Sequence, residues 1–470
     1  MAKLTVRVDA AYQSANCRAF GPIKSCLSQT IRLGEINISM APRSTLEKLL
    51  QDLPKSAPQL HTLRITCHLS EPPYMIDEDF LRDTARLRCV NLVNCKISWD
   101  SRLLTGLTRL TLHGSLKKDD ENSSIVQFFH ALERMPALTN LDLEDAIPHN
   151  SGITTCPAVH LPCLEVLNIS SDVGAMTAAL RHMTFPSNAV LSLTCQETRP
   201  TQIDFSNFLS ALAAKFLSSH SIRSLSLHIL DHMDGLRFGL WPTVQDFLYS
   251  RGFVTPCLDL VLKWTSIPHT YREYAKVLTA AFDVMDLHAL TRLNLSTGNS
   301  IDSKTWLKTF GKLPLLEQVH VQSFAAQSFF DAVVHKTKAA NKSIAAYRTV
   351  SFPRLRSIYM VACDFSEPSL GSISVEMLMD YLMERCERNA EVHELHLDDC
   401  YHIMAEDVER LREIVVDVHW DRLVQGFSDE YDSEEDRDYD SDGNTIDDFD
   451  YDYDDFPFGG GRHWLTFYDD

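Results

Sequence analysis

Glycine is scarce, at 17 residues in 470, and three of these form the single run Gly459-Gly460-Gly461. Phosphate-cradling loops and dinucleotide-binding turns need glycine at fixed offsets. No G-x-x-x-x-G-K-[ST], G-x-G-x-x-G, G-x-S-x-G or H-E-x-x-H sequence occurs. The terminal glycine run has no following Lys-Ser/Thr, so it reads as a hinge and not as a phosphate loop. No catalytic machinery and no cofactor site are expected. The twelve cysteines include no C-x-x-C pair, which is unlike the dense, regular spacing of disulfide-stapled secreted domains. Long apolar runs are absent too. None approaches the 18 residues of a membrane span, and Met1–Asp9 lacks the apolar core of a secretory leader. Basic residues are in deficit, with 44 Lys and Arg against 64 Asp and Glu. A nucleic-acid binder would need a basic face to neutralise phosphates, so that class is excluded. Reduced thiols in a cytoplasmic or nuclear protein fit these absences together.

What charge there is lies unevenly. Between Ser428 and Asp455 stand 15 acidic residues against a single Arg437, more than half of the formal net charge of −20. A boundary is therefore expected near Gly426, with a folded region over 1–426 and an acidic, aromatic-containing disordered tail over 427–470. The tail interleaves its carboxylates with Tyr431, Tyr439, Phe449, Tyr451, Tyr453 and Phe456. One reading is a solvated segment held open by self-repulsion. Another is a docking element that contacts a basic protein. Calcium is a third, but a loop opening at Asp438 puts Phe449 where an EF-hand needs a bidentate Glu.

Within 1–426 a short pattern recurs: an apolar residue, Pro, any residue, Leu, two residues, then an aliphatic. It stands at Ala57–Leu63, Met135–Leu141, Leu161–Leu167, Leu313–Val319 and Phe352–Ile358. Each copy runs on into alternation of the strand type, as in Leu141-Asp-Leu143. Proline-free versions fill the gaps, at Leu87–Cys95, Leu107–Leu112, Ile222–Leu227, Leu290–Leu295 and Val392–Cys400, with weaker members at Leu191-Ser-Leu193 and Leu258-Asp-Leu260. The first and last of these strong copies match the L-x-x-L-x-L-x-x-N/C core of a leucine-rich repeat. Successive copies are 20 to 39 residues apart, so the array is irregular.

The segments between copies carry helical stripes. Ile125, Phe128, Phe129, Leu132 and Met135 follow Ser123 and Ser124 as possible N-caps. Tyr274, Val277, Leu278, Ala281, Phe282 and Met285 repeat the spacing over three turns. Shorter stripes stand at Leu46/Leu49/Leu50/Leu53, Phe208/Leu209/Leu212/Phe216 and Leu378/Met379/Leu382/Cys386. The proline after several helices cannot continue them and pushes its predecessor toward extended geometry, which turns the chain into the next strand. The expected fold is α/β: an irregular leucine-rich-repeat solenoid of about a dozen units, with a parallel concave sheet and helices on the convex side. A doubly wound α/β domain is the rival, but it calls for fully apolar strands and a glycine-rich ligand loop.

Cys95, Cys363 and Cys400 follow repeat strands where the repeat places Asn or Cys, a position for a small buried side chain. His393, His396, Cys400 and His402 have ligand-like spacing for zinc, but strand alternation separates exposed histidines from a buried cysteine. No metal is expected.

The stretch Leu87–Cys95 with Trp99–Leu110, Ala131–Leu138, and Leu395–Cys400 through Glu413–Trp420 resembles the leucine-rich-repeat region of fungal, mushroom-type F-box proteins, over roughly Leu4 to Val424. That resemblance implies target recognition for a ubiquitin ligase. Family members also dock on a Skp1-type adaptor through an N-terminal helical F-box. Here Leu4–Val8 and Ile36–Ile38 read as strands, followed by a helix over Ser44–Leu53, and no Leu-Pro-x-Glu-type opening stands among them. The resemblance therefore reaches the recognition half only. A free-standing scaffold or decoy is the alternative, and an enzyme with an unrecognised site a third. Partner-binding residues are expected at the middle of each L-x-L strand, pointing out of the concave sheet: Arg64, Asn91, Thr111, Asp142, Asn168, Ser192, Ser226, Asp259, Asn294, Tyr359 and His396. Their mixed polarity suits a protein partner of unknown identity.

Overall fold

The structure is a computed structural model and describes residues 4–9, 20–29, 31–51, 56–77, 80–81, 83–114, 124–148, 158–197, 205–216, 220–230, 235–245, 247, 254–264, 271–296, 303–310, 313–340, 351–366 and 373–422. The chain divides into Met1–Gln425 and Gly426–Asp470. The acidic tail, and with it the docking and calcium readings, lies outside the described residues.

The chain begins with β1 (Leu4–Asp9), α1 (Phe20–Leu27), β2 (Leu33–Ala41), α2 (Arg43–Leu50), β3 (Thr62–Cys67), β4 (Tyr74–Met75), β5 (Cys89–Val93), β6 (Cys95–Lys96) and β7 (Arg109–His113). It continues through α3 (Ile125–Glu133), β8 (Asn140–Glu144), β9 (Val159–His160), β10 (Val166–Asp172), α4 (Val173–His182), β11 (Met183–Thr184), β12 (Val190–Glu197) and α5 (Ser206–Lys215). Then come β13 (Ser224–Ile229), β14 (Gly235–Trp241), β15 (Leu258–Trp264), α6 (Tyr271–Val284), β16 (Arg292–Ser296) and α7 (Ser303–Thr309). The last elements are β17 (Gln318–Gln322), α8 (Phe324–Ala340), β18 (Ser357–Val361), α9 (Val375–Glu387), β19 (Glu394–Asp398), α10 (Ala405–Arg412) and β20 (Asp417–Trp420).

The helical stripes form α2, α3, α5, α6 and α9, with Leu46, Phe128, Phe208, Leu278 and Leu378 among their buried positions. Ser124 caps α3: its side chain accepts from the Val126 amide while Gln127 reaches back to the Ser124 amide. Ser123, Leu53 and the side chain of Tyr274 lie outside the described residues. Sixteen strands form one sheet in the order β1-β2-β3-β5-β7-β8-β10-β12-β15-β14-β13-β16-β17-β18-β19-β20. Each strand sends two core side chains to the same side, and register joins them into two continuous apolar rows. One runs from Val6 through Ile36, Leu63, Val90 and Leu110 to Leu395 and Val418; the other runs from Val8 to Trp420. Most are fully buried, and each such side chain contributes about 1.5–3 kcal/mol. Helices α4 to α9 pack one against the next in sequence. Their buried faces join the same core as the strand leucines.

A wholly parallel sheet with successive copies side by side was expected, and here the structure differs. Strand β14 runs antiparallel to both β13 and β15, and the trio sits in reverse order between β12 and β16. Only five residues join Ile229 to Gly235. That is too short for a parallel crossover, which needs a dozen or more, so the chain makes a hairpin.

Where β5, β7, β8, β17, β18 and β19 end, the backbone turns left-handed. Asn94, Asp145, Ser323, Ala362 and Asp399 have φ of 51°, 49°, 50°, 51° and 51°, and Gly114 does the same after β7. Behind three of these turns the cysteine packs inward, each thiol donating to carbonyls at its own strand's end and on the preceding strand: Cys95 to Ile65, Cys363 to Val321, Cys400 to Met360. Burial pushes the Cys95 thiol up to about 12 and raises Cys363 well above its ordinary value, so neither is poised as a thiolate. Among the described residues one arginine enters the core. Arg385 of α9 is 1 % exposed, and its guanidinium donates to the carbonyls of Ser351, Phe352 and Leu355 and to the Tyr381 hydroxyl, closing the turn that leads into β18.

Candidate partner-binding face

Between the two apolar rows runs a third, on the opposite side of the sheet. Register carries it across all sixteen strands: Arg7, Asn37, Arg64, Asn91, Thr111, Asp142, Asn168, Ser192, Asp259, Gly239, Ser226, Asn294, His320, Tyr359, His396 and His419. All eleven positions chosen from the sequence fall in this one row. Arg7, Asn37, Gly239, His320 and His419 complete it and were not among them. His320 sits in a Val-His-Val strand that the proline pattern itself marks, so the same alternation rule would have found it. His419 lies between Val418 and Trp420, apolar residues that alternate like any L-x-L pair. Gly239 was hidden because nothing in Leu236-x-Phe238-x-Leu240 says which way the strand runs.

The first part of the row is polar and largely neutralised from within. Arg7 and Arg64 both approach Glu35, at 3.8 and 3.9 Å. His113, one step along β7, stands 3.1 Å from Asp142 and 3.6 Å from Glu144. Burial works to lower the pKa of His113, but the bond and charge of Asp142 and the charge of Glu144 outweigh it and raise it. Asn168 Oδ1 is buried with no hydrogen-bond partner among the described residues. In the reversed trio, Arg237 grips Asp259 with two bonds of 2.9 and 2.8 Å. Ser226, 4 % exposed, shares a 2.6 Å bond with His228 Nε2 and receives Asn294 Nδ2 at 3.2 Å. Burial and Arg237 lower the His228 pKa to about 4, so at neutral pH it is an uncharged member of this network.

From β17 onward the row changes character. The rings of His320 and Tyr359 stack at 4.2 Å with planes 4° apart. Tyr359 and His396 follow at 4.0 Å and 15°, then His396 and His419 at 4.3 Å and 17°. The spacing is close to the distance between strands, so register alone brings the rings face to face. The segment after β14 extends the wall. Gln245 donates its amide to Ser224 Oγ and accepts from Arg292 at 2.7 Å. This holds Phe247 edge-on to His320 at 5.5 Å and to Trp241 at 5.7 Å. Trp241 covers Gly239, where a Cβ would come within 2.7 Å of the ring. Six rings thus form a continuous wall from β14 to β20.

His320 and Tyr359 are only 4 % and 8 % exposed, because neighbouring rings cover their faces. Burial, then Arg292 and His396, lower the His320 pKa to about 3, and its Nε2 contacts the Gln318 amide at 2.7 Å. At the other end His419 is exposed on the last strand of the sheet, and its outer face meets no further ring among the described residues. His396 belongs to this wall on the open side of β19, whereas Cys400 is buried beyond its end. His402 instead bonds Asp364 at 2.8 Å.

The chain matches no protein-family model, and none of the curated proteins matches it. No helix among the described residues is long and apolar enough to cross a membrane.

Proposed function

We propose that this chain is a protein-interaction module: an irregular leucine-rich-repeat solenoid whose concave face carries the middle row and binds another protein inside the cell. One observation supports this above the rest: a single register row of side chains, ending in a wall of rings, on the side of the sheet away from the helix-packed core. Sixteen strands at their usual spacing extend roughly 70 Å, ample for the ~800 Å² that a specific partner covers. Aromatic rings held rigid by their neighbours lose little entropy on binding, which is why such residues anchor interfaces. By its resemblance to the F-box family, the type of binding is target recognition for a ubiquitin ligase.

Pull-down with the full chain and with a Tyr359→Ala/His396→Ala variant tests this. The variant should lose a partner that the unaltered chain retains, with its cooperative unfolding preserved. Equal recovery by both would sink the reading. Recovery of a Skp1-type adaptor and cullin with the partner supports the ligase type. A partner recovered without them makes the chain a free-standing scaffold or decoy.

A further inference from the structure

The segment that follows β14 does not leave the open face but crosses it. Register sets Trp241, Ser224, Arg292 and Gln318 side by side on the open sides of β14, β13, β16 and β17. Pro242 has no amide to continue the ladder, and the chain turns across these strands as a strap. Gln245 is its anchor. Its amide donates to Ser224 Oγ of β13 at 2.9 Å, and Arg292 of β16 donates to its carbonyl at 2.7 Å. Phe247 then stands edge-on to His320 of β17 at 5.5 Å. Ser224, an open-side residue, is 0 % exposed. The side chains at the start of the strap are tied as well: Trp241 Nε1 donates to the Val254 carbonyl at 2.7 Å and Gln245 Nε2 to Thr243 Oγ1 at 2.6 Å.

From this geometry we infer that Arg292 is a positioning residue of the binding face: it clasps the strap to the sheet and so keeps Phe247 in the wall of rings that meets the partner. The inference rests on the reading of the open face as protein-binding and names the residue that controls one end of that surface. The two ties on Gln245 differ in kind. A bond from a charged donor is about twice as strong as one between neutral groups, so Arg292 holds more of the strap than Ser224 does. Without it the strap takes up other positions, and a partner must order it on binding, which costs affinity. Arg292 also acts through its charge. Together with burial and His396 it keeps the His320 pKa down at about 3, so the ring that Phe247 meets stays neutral. One guanidinium thus sets both the place of Phe247 and the charge of the ring it touches.

The partner that the unaltered chain retains in the pull-down is labelled and titrated with the full chain and its variants by fluorescence anisotropy. Phe247→Ala should weaken binding about tenfold, and Arg292→Met, which keeps the aliphatic stem, by a similar factor. Because both act through one ring, the double variant should bind no more weakly than either alone. In the free chain the ring protons of His320 report the Phe247 edge contact by NMR. Arg292→Met and Phe247→Ala should both shift them, and the His320 pKa should rise in Arg292→Met. Ser224→Ala breaks only the weaker tie and leaves the charge in place. It should shift the same protons with a smaller rise in pKa, and it serves where Arg292→Met unfolds. Losses that multiply in the double variant, or Phe247→Ala binding as the unaltered chain does, overturn the inference. So do His320 protons that stay in place when Arg292 is replaced. A partner lost with Tyr359→Ala/His396→Ala but indifferent to Phe247→Ala and Arg292→Met leaves face binding intact and removes only the clasp. A partner indifferent to all of them, or none retained at all, removes the reading itself.

Discussion

His320 shows how one side chain takes on opposite duties when register places it under its neighbours. Its ring is sandwiched within the wall, and burial, Arg292 and His396 together lower its pKa from 6.5 to about 3. Between those values the unfolded chain takes up the proton and the folded chain does not. The folded state is therefore favoured above the ordinary value and loses that advantage as pH falls toward 3. His228, lowered to about 4, acts in the same direction, whereas His113, raised by Asp142 and Glu144, acts oppositely, stabilising below its ordinary value and losing that as pH rises. His320→Phe keeps the stack and removes one titration. At neutral pH the variant should be less stable by about 1 kcal/mol, because the Gln318 amide loses its partner. That deficit should shrink as pH falls, as urea midpoints at a series of pH values would reveal. A deficit independent of pH would mean that His320 binds its proton equally in the folded and unfolded chain, which contradicts the lowered value.

At the scale of the element, the turn after β5, β7, β8, β17, β18 and β19 decides how the chain leaves the sheet. The residue there must be left-handed, which asparagine, aspartate and glycine tolerate and alanine does not. Asn94 suits the position twice over, since its Nδ2 also donates to the carbonyls of His68 and Glu71. Ala362 has no such compensation at φ 51°, although its amide donates to Asp398. Ala362→Gly should raise stability by about 0.5–1 kcal/mol, the left-handed strain removed less the entropy glycine adds to the unfolded chain. Asn94→Gly should lower it by about 1 kcal/mol through the two lost bonds. Thermal melts of the two variants shifting in the same direction would contradict this account. Helices α2, α3, α5, α6 and α9 were legible in the sequence because their apolar stripes and caps are local, whereas α1, α4, α7, α8 and α10 were not; nor was the packing order, since one stripe resembles another.

For the described array as a whole, β14 is the only strand joining the parallel run from β1 to β15 with that from β13 to β20. Gly235 opens it so close to β15 that an added Cβ would stand 2.5 Å from the Leu262 carbonyl, and backbone cannot yield as a flexible side chain would. In a repeat array, stability is a sum of units and the interfaces between neighbours, so weakening one interface uncouples what lies on either side. Gly235→Ala should cost about 1–3 kcal/mol. Amides of β16 to β19 should then exchange hydrogen on a different scale from those of β5 to β10. Uniform loss of protection on both sides would show that the array is held together by more than β14.

Alternation and spacing within the sequence determined the strands of the large sheet other than β14 and β20, their buried aliphatics and the eleven open-side positions, because each depends on a residue and its near neighbours in the chain. The same reasoning placed Tyr359 and His396 on one face but could not place them against each other. Which strand lies beside which depends on contacts between residues far apart in sequence, and alternation is identical for parallel and antiparallel neighbours. Tertiary structure alone therefore decided the reversed trio, the reach of Phe247 to His320, and the pairing that turns four separate rings into a stack. It also decided that the carboxylates of β19 and β20 stand side by side, Glu394 opposite Asp417, since only register sets which residue a charge faces.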